Sequence, residues 1–227
     1  MGDARNDASG RQGRRRPHLS RGDRRELAIL DSTARLLSEK PATKITIEEI
    51  AKGAGLSRPS VYFYFDSKQA IVDTALQRVM GNMLGTLAAV AADEQATAET
   101  SVVRLVDAMV DTWRTHSGLF TAAVDFVGRD ISARNSWNRA CEDAADGFSA
   151  VIERDRARGA LNPEGDSRAM SLTTCWMLER CCYMTFSRDH TAADVTALRA
   201  SLVFATRRIL GLDLEPKYES STTSPKR

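Results

Sequence analysis

Long apolar runs are missing from this chain. No segment approaches the roughly 20 uninterrupted apolar residues that a membrane-spanning helix requires. No apolar stretch follows the charged first residues, as it would in a secretory signal. A transit peptide would suit the arginine content there, but Asp3, Asp7 and Asp23 weigh against one. The expectation is a soluble, cytoplasmic protein with no membrane partner. Cysteine is scarce: the four are Cys141, Cys175, Cys181 and Cys182. Two are adjacent and none stands in C-x-x-C spacing, which argues against a disulfide framework and suits a reducing compartment. They read as packed side chains, with a thiol sensor as the alternative. Histidine is scarcer still, and His18, His116 and His190 lie too far apart for a metal-ligand pattern. Neither G-x-G-x-x-G nor a P-loop occurs, and no serine or carboxylate sits with a base in a recognisable motif. These absences leave no enzyme, no cofactor and no metal to predict. Alternation of period two is also lacking, so the fold class is all-α.

What is present is enough apolar material for a sizeable core: 42% of 227 residues are hydrophobic and 27% charged, compatible with one or two domains. The net charge of +2 conceals an uneven distribution. Arg5, Arg11, Arg14, Arg15, Arg16, Arg21, Arg24 and Arg25 crowd the first residues against Asp7 and Asp23. An arginine-rich start mixed with Gly, Ser and Asn is expected to be disordered in isolation, over residues 1–22. It serves either as a solvated tail or as an arm that binds phosphate. A second tail is expected at 214–227.

The stretch T-I-E-E-I-A-K-G-A-G-L-S-R-P-S-V-Y-F-Y-F-D-S-K, Thr46 to Lys68, carries the strongest local signals. Thr46 and Glu49 have the spacing of a capping box. Ile47, Ile50 and Ala51 give the helix they open an inward face, and Gly53 and Gly55 are positioned to stop it. Ser57 is placed to cap a second helix whose first turn tolerates Pro59. Val61 to Phe65 are then five large apolar or aromatic residues in a row. A helix this short cannot bury all of them, so some are expected to face outward, with Val61 and Phe65 the better candidates to pack inward. Helix, glycine turn and short helix fit both an ordinary helical hairpin and the helix-turn-helix that places its second helix in the DNA major groove.

The rest reads as further helices. Asp23 with Glu26 is expected to start one whose face is Leu27, Leu30, Ala34 and Leu37. Asp66 or Ser67 caps a long one bearing Ile71, Val72, Ala75, Val79, Met83, Leu87 and Val90. Ala92 to Glu99 reads as a loop. Val102 to His116 is amphipathic, Gly118 is expected to break it, and a shorter helix ends near Gly128. Others are placed at Ser132 to Arg158, Asp166 to Phe186 and Ala192 to Leu210, with Gly159, Asn162, Pro163 and Gly165 between the first two.

The run A-K-G-A-G-L-S-R-P-S-V-Y-F-Y-F-D-S-K-Q-A-I, Ala51 to Ile71, resembles the N-terminal domain of TetR-family transcriptional regulators. The resemblance implies a three-helix DNA-binding domain at residues 23–70, joined by the long helix to a helical ligand-binding and dimerisation domain at 71–213. It places Arg58, Pro59 and Ser60 at the start of the recognition helix. There Arg58 can donate two bonds to guanine O6 and N7, and Pro59 or the Val61 methyls can meet a thymine methyl. It gives Tyr62 and Tyr64 to backbone phosphates, and Lys68 to phosphate at the positive end of the next helix. Thr46 would bind phosphate as well as capping, and Lys44 beside it is a further candidate.

The resemblance also bears on assembly and ligand. The last two helices are apolar on more than one face, which fits either an internal core or a dimer face. Family members pair them with their symmetry mates, implying a homodimer on an inverted-repeat operator. Aromatic residues over the middle helices fit core packing or a largely apolar pocket between helices. The family holds an inducer there, implying a small apolar or amphipathic ligand among Met109, Trp113, Phe120, Phe126, Trp137, Phe148, Trp176, Met177, Glu179 and Tyr183. A repressor released by such a ligand is the expectation; a DNA-binding protein without one is the competing reading.

Overall fold

The structure, a computed structural model, describes residues 20–128, 130–161 and 164–212. Every regular element among them is helical: α1 (Arg21–Glu39), a 3-10 turn (Ala42–Lys44), α2 (Ile47–Gly53), α3 (Arg58–Tyr64), α4 (Lys68–Ala92), α5 (Ala98–Thr115), α6 (Ser117–Val127), α7 (Ile131–Ala157), α8 (Ser167–Phe186) and α9 (Ala192–Ile209).

Helix starts follow the short polar residues that can satisfy the first unpaired N–H groups. Thr46 and Glu49 form the expected capping box, Thr46 N–H donating to Glu49 Oε2 at 3.0 Å and Glu49 N–H to Thr46 Oγ1 at 3.2 Å. Ser67 caps α4 by accepting the Ala70 N–H at 3.1 Å. The start of α1 corrects the expectation. Asp23 is not the cap but its partner: Ser20 Oγ accepts the Asp23 N–H at 3.0 Å, and Asp23 returns a carboxylate to the Ser20 N–H at 2.9 Å. The first helix therefore takes in Arg21 and Gly22 from the segment expected as tail. The remaining tail expectations, over 1–19 and 214–227, lie outside the described residues.

Helix α5 also starts early, inside the expected loop. Thr97 and Thr100 box its first turn, and Asp155, buried on α7, accepts the Ala98 N–H. Arg154 beside it donates to the carbonyls of Asp93 and Ala96 at 2.9 and 2.7 Å. One Arg-Asp pair on α7 thus fixes the whole α4–α5 connection.

Three glycines divide their roles. Gly55 has φ +67°, and around it the Leu56 N–H reaches the Ala51 carbonyl at 2.9 Å while its own N–H reaches Lys52 at 3.2 Å. This is the Schellman termination that needs a left-handed residue. Gly53 remains helical and is there for clearance. A Cβ on it would stand 2.1 Å from Ser32 Oγ, which is itself held by the Ile50 carbonyl at 3.0 Å. Gly118, expected as a breaker, lies in the first turn of α6, and the break falls at His116. A Cβ on Gly118 would meet the Leu37 carbonyl oxygen at 1.9 Å, so its absence lets α6 seat directly on the end of α1.

Helices α1 to α3 enclose Ile29, Leu30, Ile50, Val61 and Phe65, and this cluster runs without interruption along α4 through Ile71, Ala75 and Val79 into the body around Val106, Trp113 and Leu178. At about 1.5 Å per residue, the 25-residue α4 spans roughly 37 Å, reaching from the N-terminal unit to the far side of the body.

Candidate nucleic-acid interface and ligand cavity

Seven residues make α3, and its i, i+4 columns decide what it can touch. Val61 and Phe65 share one column and are buried. Arg58 and Tyr62 share a second, with the guanidinium 5.6 Å from the ring centroid, a cation–π contact that steadies the arginine on an open surface. Pro59 and Phe63 share a third, and the Phe63 side chain is 83% exposed. Phe63 is thus an outward group that the sequence reading left unassigned, while Tyr64 is half-buried with its ring edge-on to Phe63 at 5.2 Å. Assigning Tyr62 and Tyr64 to one face follows the period of a strand; on a helix the adjacent pair 62 and 63 faces out between buried residues four apart. Ser60 is half-buried and tied to its own cap, its hydroxyl 2.8 Å from Ser57 Oγ.

The residues assigned to phosphate are held more firmly than expected. Lys68 Nζ donates to the carbonyls of Ala42 and Ile45 at 2.7 and 2.9 Å, bracing the 3-10 turn against the start of α4. An ammonium has three donors, so one remains after this bracing. Thr46 is exposed, but its hydroxyl donates to Glu49 Oε2 at 3.1 Å. Glu49 is held down at about 2 by a hydrogen bond from Lys40 and by its bonds to Thr46. Lys44 is exposed on the turn. Arg58, Lys44 and Lys68 therefore stand on the N-terminal unit, with the exposed Pro59–Phe63 column beside the exposed Arg58.

In the body, Trp137 of α7 lies between two cavities. One, of about 510 Å³, is bounded by Leu76, Met80 and Leu84 of α4, by Ala123 and Val127 of α6 and by Ala133 and Ala140 of α7, with Asp73 and Asp130 also on its wall. The other, of about 300 Å³, is bounded by Val124, Val127, Trp137, Asn138, Trp176, Glu179 and Arg180. Val127 and Trp137 line both. Of the ten residues assigned to a ligand, Trp137, Trp176 and Glu179 line these spaces. Met109, Trp113, Phe120 and Phe148 are buried in the core, where Trp113 stacks on Phe120 at 4.6 Å and Tyr183 meets Trp113 edge-on at 6.4 Å. Met177 and Tyr183 are half-buried against the same core. The side chain of Phe126 lies outside those described. Most of the cavity wall was missed because Gly81, Ala123, Ala133 and Ala140 create space by being small, and an alanine or glycine in a helix carries no pattern that marks it.

Burial sets the chemistry of the lining. It raises the Glu179 carboxyl above its ordinary range, opposed only by nearby Arg180, and it raises Asp73, aided by the charge of Asp130. It also pushes the thiols of Cys141 and Cys175 up to about 11 and about 12, and that of Cys182 up further. A thiol so far from ionising is a poor nucleophile, which fits packing rather than sensing for these three.

Residues 29–75 match the model described as bacterial regulatory proteins, tetR family, and residues 102–204 the one described as the C-terminal domain of the transcriptional regulator EthR. The HTH-type transcriptional regulator EthR of Mycobacterium tuberculosis strain H37Rv is 29% identical over 201 residues, covering 88% of this chain and 93% of that protein. Its namesake in Mycolicibacterium smegmatis is 30% identical over 153 residues, covering 66% and 68%. Among solved structures, a TetR-family regulator of Mesorhizobium loti superposes with TM-score 0.67 at 16% identity, over 84% of this chain and 98% of that one. A regulator of Saccharomonospora viridis in complex with choline gives 0.67 at 19%, over 78% and 92%. At those identities the structural likeness is one of fold.

Proposed function

The chain belongs to the TetR family of transcriptional regulators, and from that premise we propose that it is a repressor that binds an inverted-repeat operator as a homodimer and leaves it when a largely apolar ligand fills the cavities beside Trp137. The observation that carries the DNA reading is the outward surface of α3. Arg58, Pro59, Tyr62 and Phe63 stand exposed over a buried Val61 and Phe65, so the helix is anchored from behind and open in front. Arg58 reads guanine, the Pro59–Phe63 column meets thymine methyls, and Tyr62, with Tyr64 at the edge, approaches phosphate. Lys44, Thr46 and Ser60 flank it, and Lys68 offers phosphate its remaining N–H from the end of α4.

The dimer reading is supported by apolar surface on the last two helices. Trp176 and Met184 of α8 are 50% and 51% exposed, eight residues apart and so on one stripe, and Phe204 of α9 is 59% exposed. A second copy paired through this face would hold two α3 helices for successive turns of the major groove, about 34 Å apart. Ligand in the larger cavity touches α4, α6 and α7, and α6 in turn seats on α1 through Gly118. A ligand that prefers one separation of the readers therefore shifts DNA affinity.

Arg58→Ala, measured by fluorescence anisotropy on a duplex that the wild type selects, is expected to weaken specific binding by about 1–3 kcal/mol while leaving binding to unrelated DNA nearly unchanged. Equal specific affinity in the variant would defeat the assignment of α3 as the reading helix.

A further inference from the structure

Glu179 is an unusual wall for a cavity bordered by two tryptophans. The residue is 9% exposed, and its carboxylate accepts no hydrogen bond from any described residue; the nearest opposite charge, Arg180 Nε, is 3.9 Å away. That arginine turns outward, its side chain 60% exposed, with its guanidinium 5.2 Å from the Tyr183 ring centroid. Both residues border the cavity, but the guanidinium lies over an aromatic face at the surface and gives the carboxylate no hydrogen bond. Trp137 and Trp176 border the same 300 Å³ space with Asn138 and Arg180, so its wall holds two indole rings and, in Glu179, a carboxylate lacking a hydrogen-bond donor. Beyond Trp137, the larger cavity adds Asp73 and Asp130 and no basic residue. Those two carboxylates already have donors, Gln69 Nε2 at 2.8 Å for Asp73 and the Ala133 N–H at 2.8 Å for Asp130.

We propose that the ligand of this cavity is an amphipathic amine, whose protonated nitrogen donates to Glu179 between Trp137 and Trp176 and whose apolar body extends past Trp137 into the larger cavity. The assignment rests on the ligand-cavity reading above and adds the head group. A largely buried carboxylate without a donor is costly, and a cationic N–H supplies the missing hydrogen bond together with a charge closer than that of Arg180. Indole faces favour the same cation. A fatty acid would place a second carboxylate beside Glu179, and an alcohol would bring a donor without the charge.

The test uses the full chain with decylamine, decanol and decanoate, followed by quenching of tryptophan fluorescence and by isothermal titration. Decylamine is expected to bind about tenfold or more tightly than the other two, the worth of one charge-assisted hydrogen bond. In Glu179→Gln that preference falls to about twofold or less while decanol affinity stays near wild type, which also shows the variant folded; Asp73→Asn keeps the preference. Decanol or decanoate matching decylamine in the wild type, or a preference that survives Glu179→Gln, overturns the head-group assignment alone. If none of the three binds, the ligand-cavity reading fails and this assignment with it.

Discussion

Val61 and Phe65 face the core because four residues on a helix return a side chain to nearly the same direction, and everything functional about α3 follows from what that leaves outside. Phe63 is then the residue with the most to show: a largely exposed aromatic ring on the proposed reading surface. Phe63→Ala is expected to lose about 1 kcal/mol of specific DNA binding without loss of stability, since the ring contributes little to the fold. Replacing thymine by uracil in the selected duplex, assayed by anisotropy, should weaken the wild type and leave the variant unaffected if the ring meets thymine methyls. Most of this residue-level detail was legible in the sequence: the capping box at Thr46 and Glu49 and the inward Val61 and Phe65 follow from spacing, and the outward Arg58 and Pro59 from the family resemblance. What spacing could not show is where a polar side chain spends its bonds. Lys68 is the clearest case, since its carbonyl partners Ala42 and Ile45 lie 26 and 23 residues away.

At the scale of elements, helix number and order were readable because every start but that of α6 carries a polar cap and the long helices an apolar stripe. Glycine was misread for a physical reason. Of the three glycines at Gly53, Gly55 and Gly118, Gly55 alone is conformational, whereas Gly53 and Gly118 are absences of a side chain where two helices touch, and contact between helices distant in sequence leaves no local mark. Gly118→Ala would drive a methyl into the Leu37 carbonyl, which is backbone and cannot rotate away. The expected cost is about 1–3 kcal/mol of stability in a denaturant titration, together with a changed response of DNA affinity to ligand, because the α1–α6 seat is displaced. The α1–α2 junction gives a pH prediction. Glu49 is held at about 2 against an ordinary value of 4.5, so the folded state favours its charged form. Its contribution is fully present above about pH 4.5 and is lost as pH falls toward 2. The stability difference between wild type and Glu49→Gln, followed by thermal melts, should therefore narrow as pH is lowered through that window and stay level above it.

For the molecule as a whole, the sequence indicated an N-terminal reader and a helical body, and the continuous core along α4 shows that the two are packed as one piece. The cavity was largely hidden because it is built from small residues on α4, α6 and α7, while the conspicuous aromatics Trp113, Phe120 and Phe148 fill the core instead. The exposed stripe of Trp176 and Met184 with Phe204 is the whole-molecule feature that one chain leaves unfinished. Phe204→Glu is expected to shift the protein from dimer to monomer in sedimentation velocity, since it places a charge in an apolar contact, and to weaken operator binding by more than a hundredfold, since a lone seven-residue helix reads only one half-site. The proposal that two α3 helices act together on DNA is tested most directly by enriching bound sequences from a random duplex library with the wild-type protein. An inverted repeat with its half-sites separated by whole helical turns is the predicted result; a library without enrichment would contradict it.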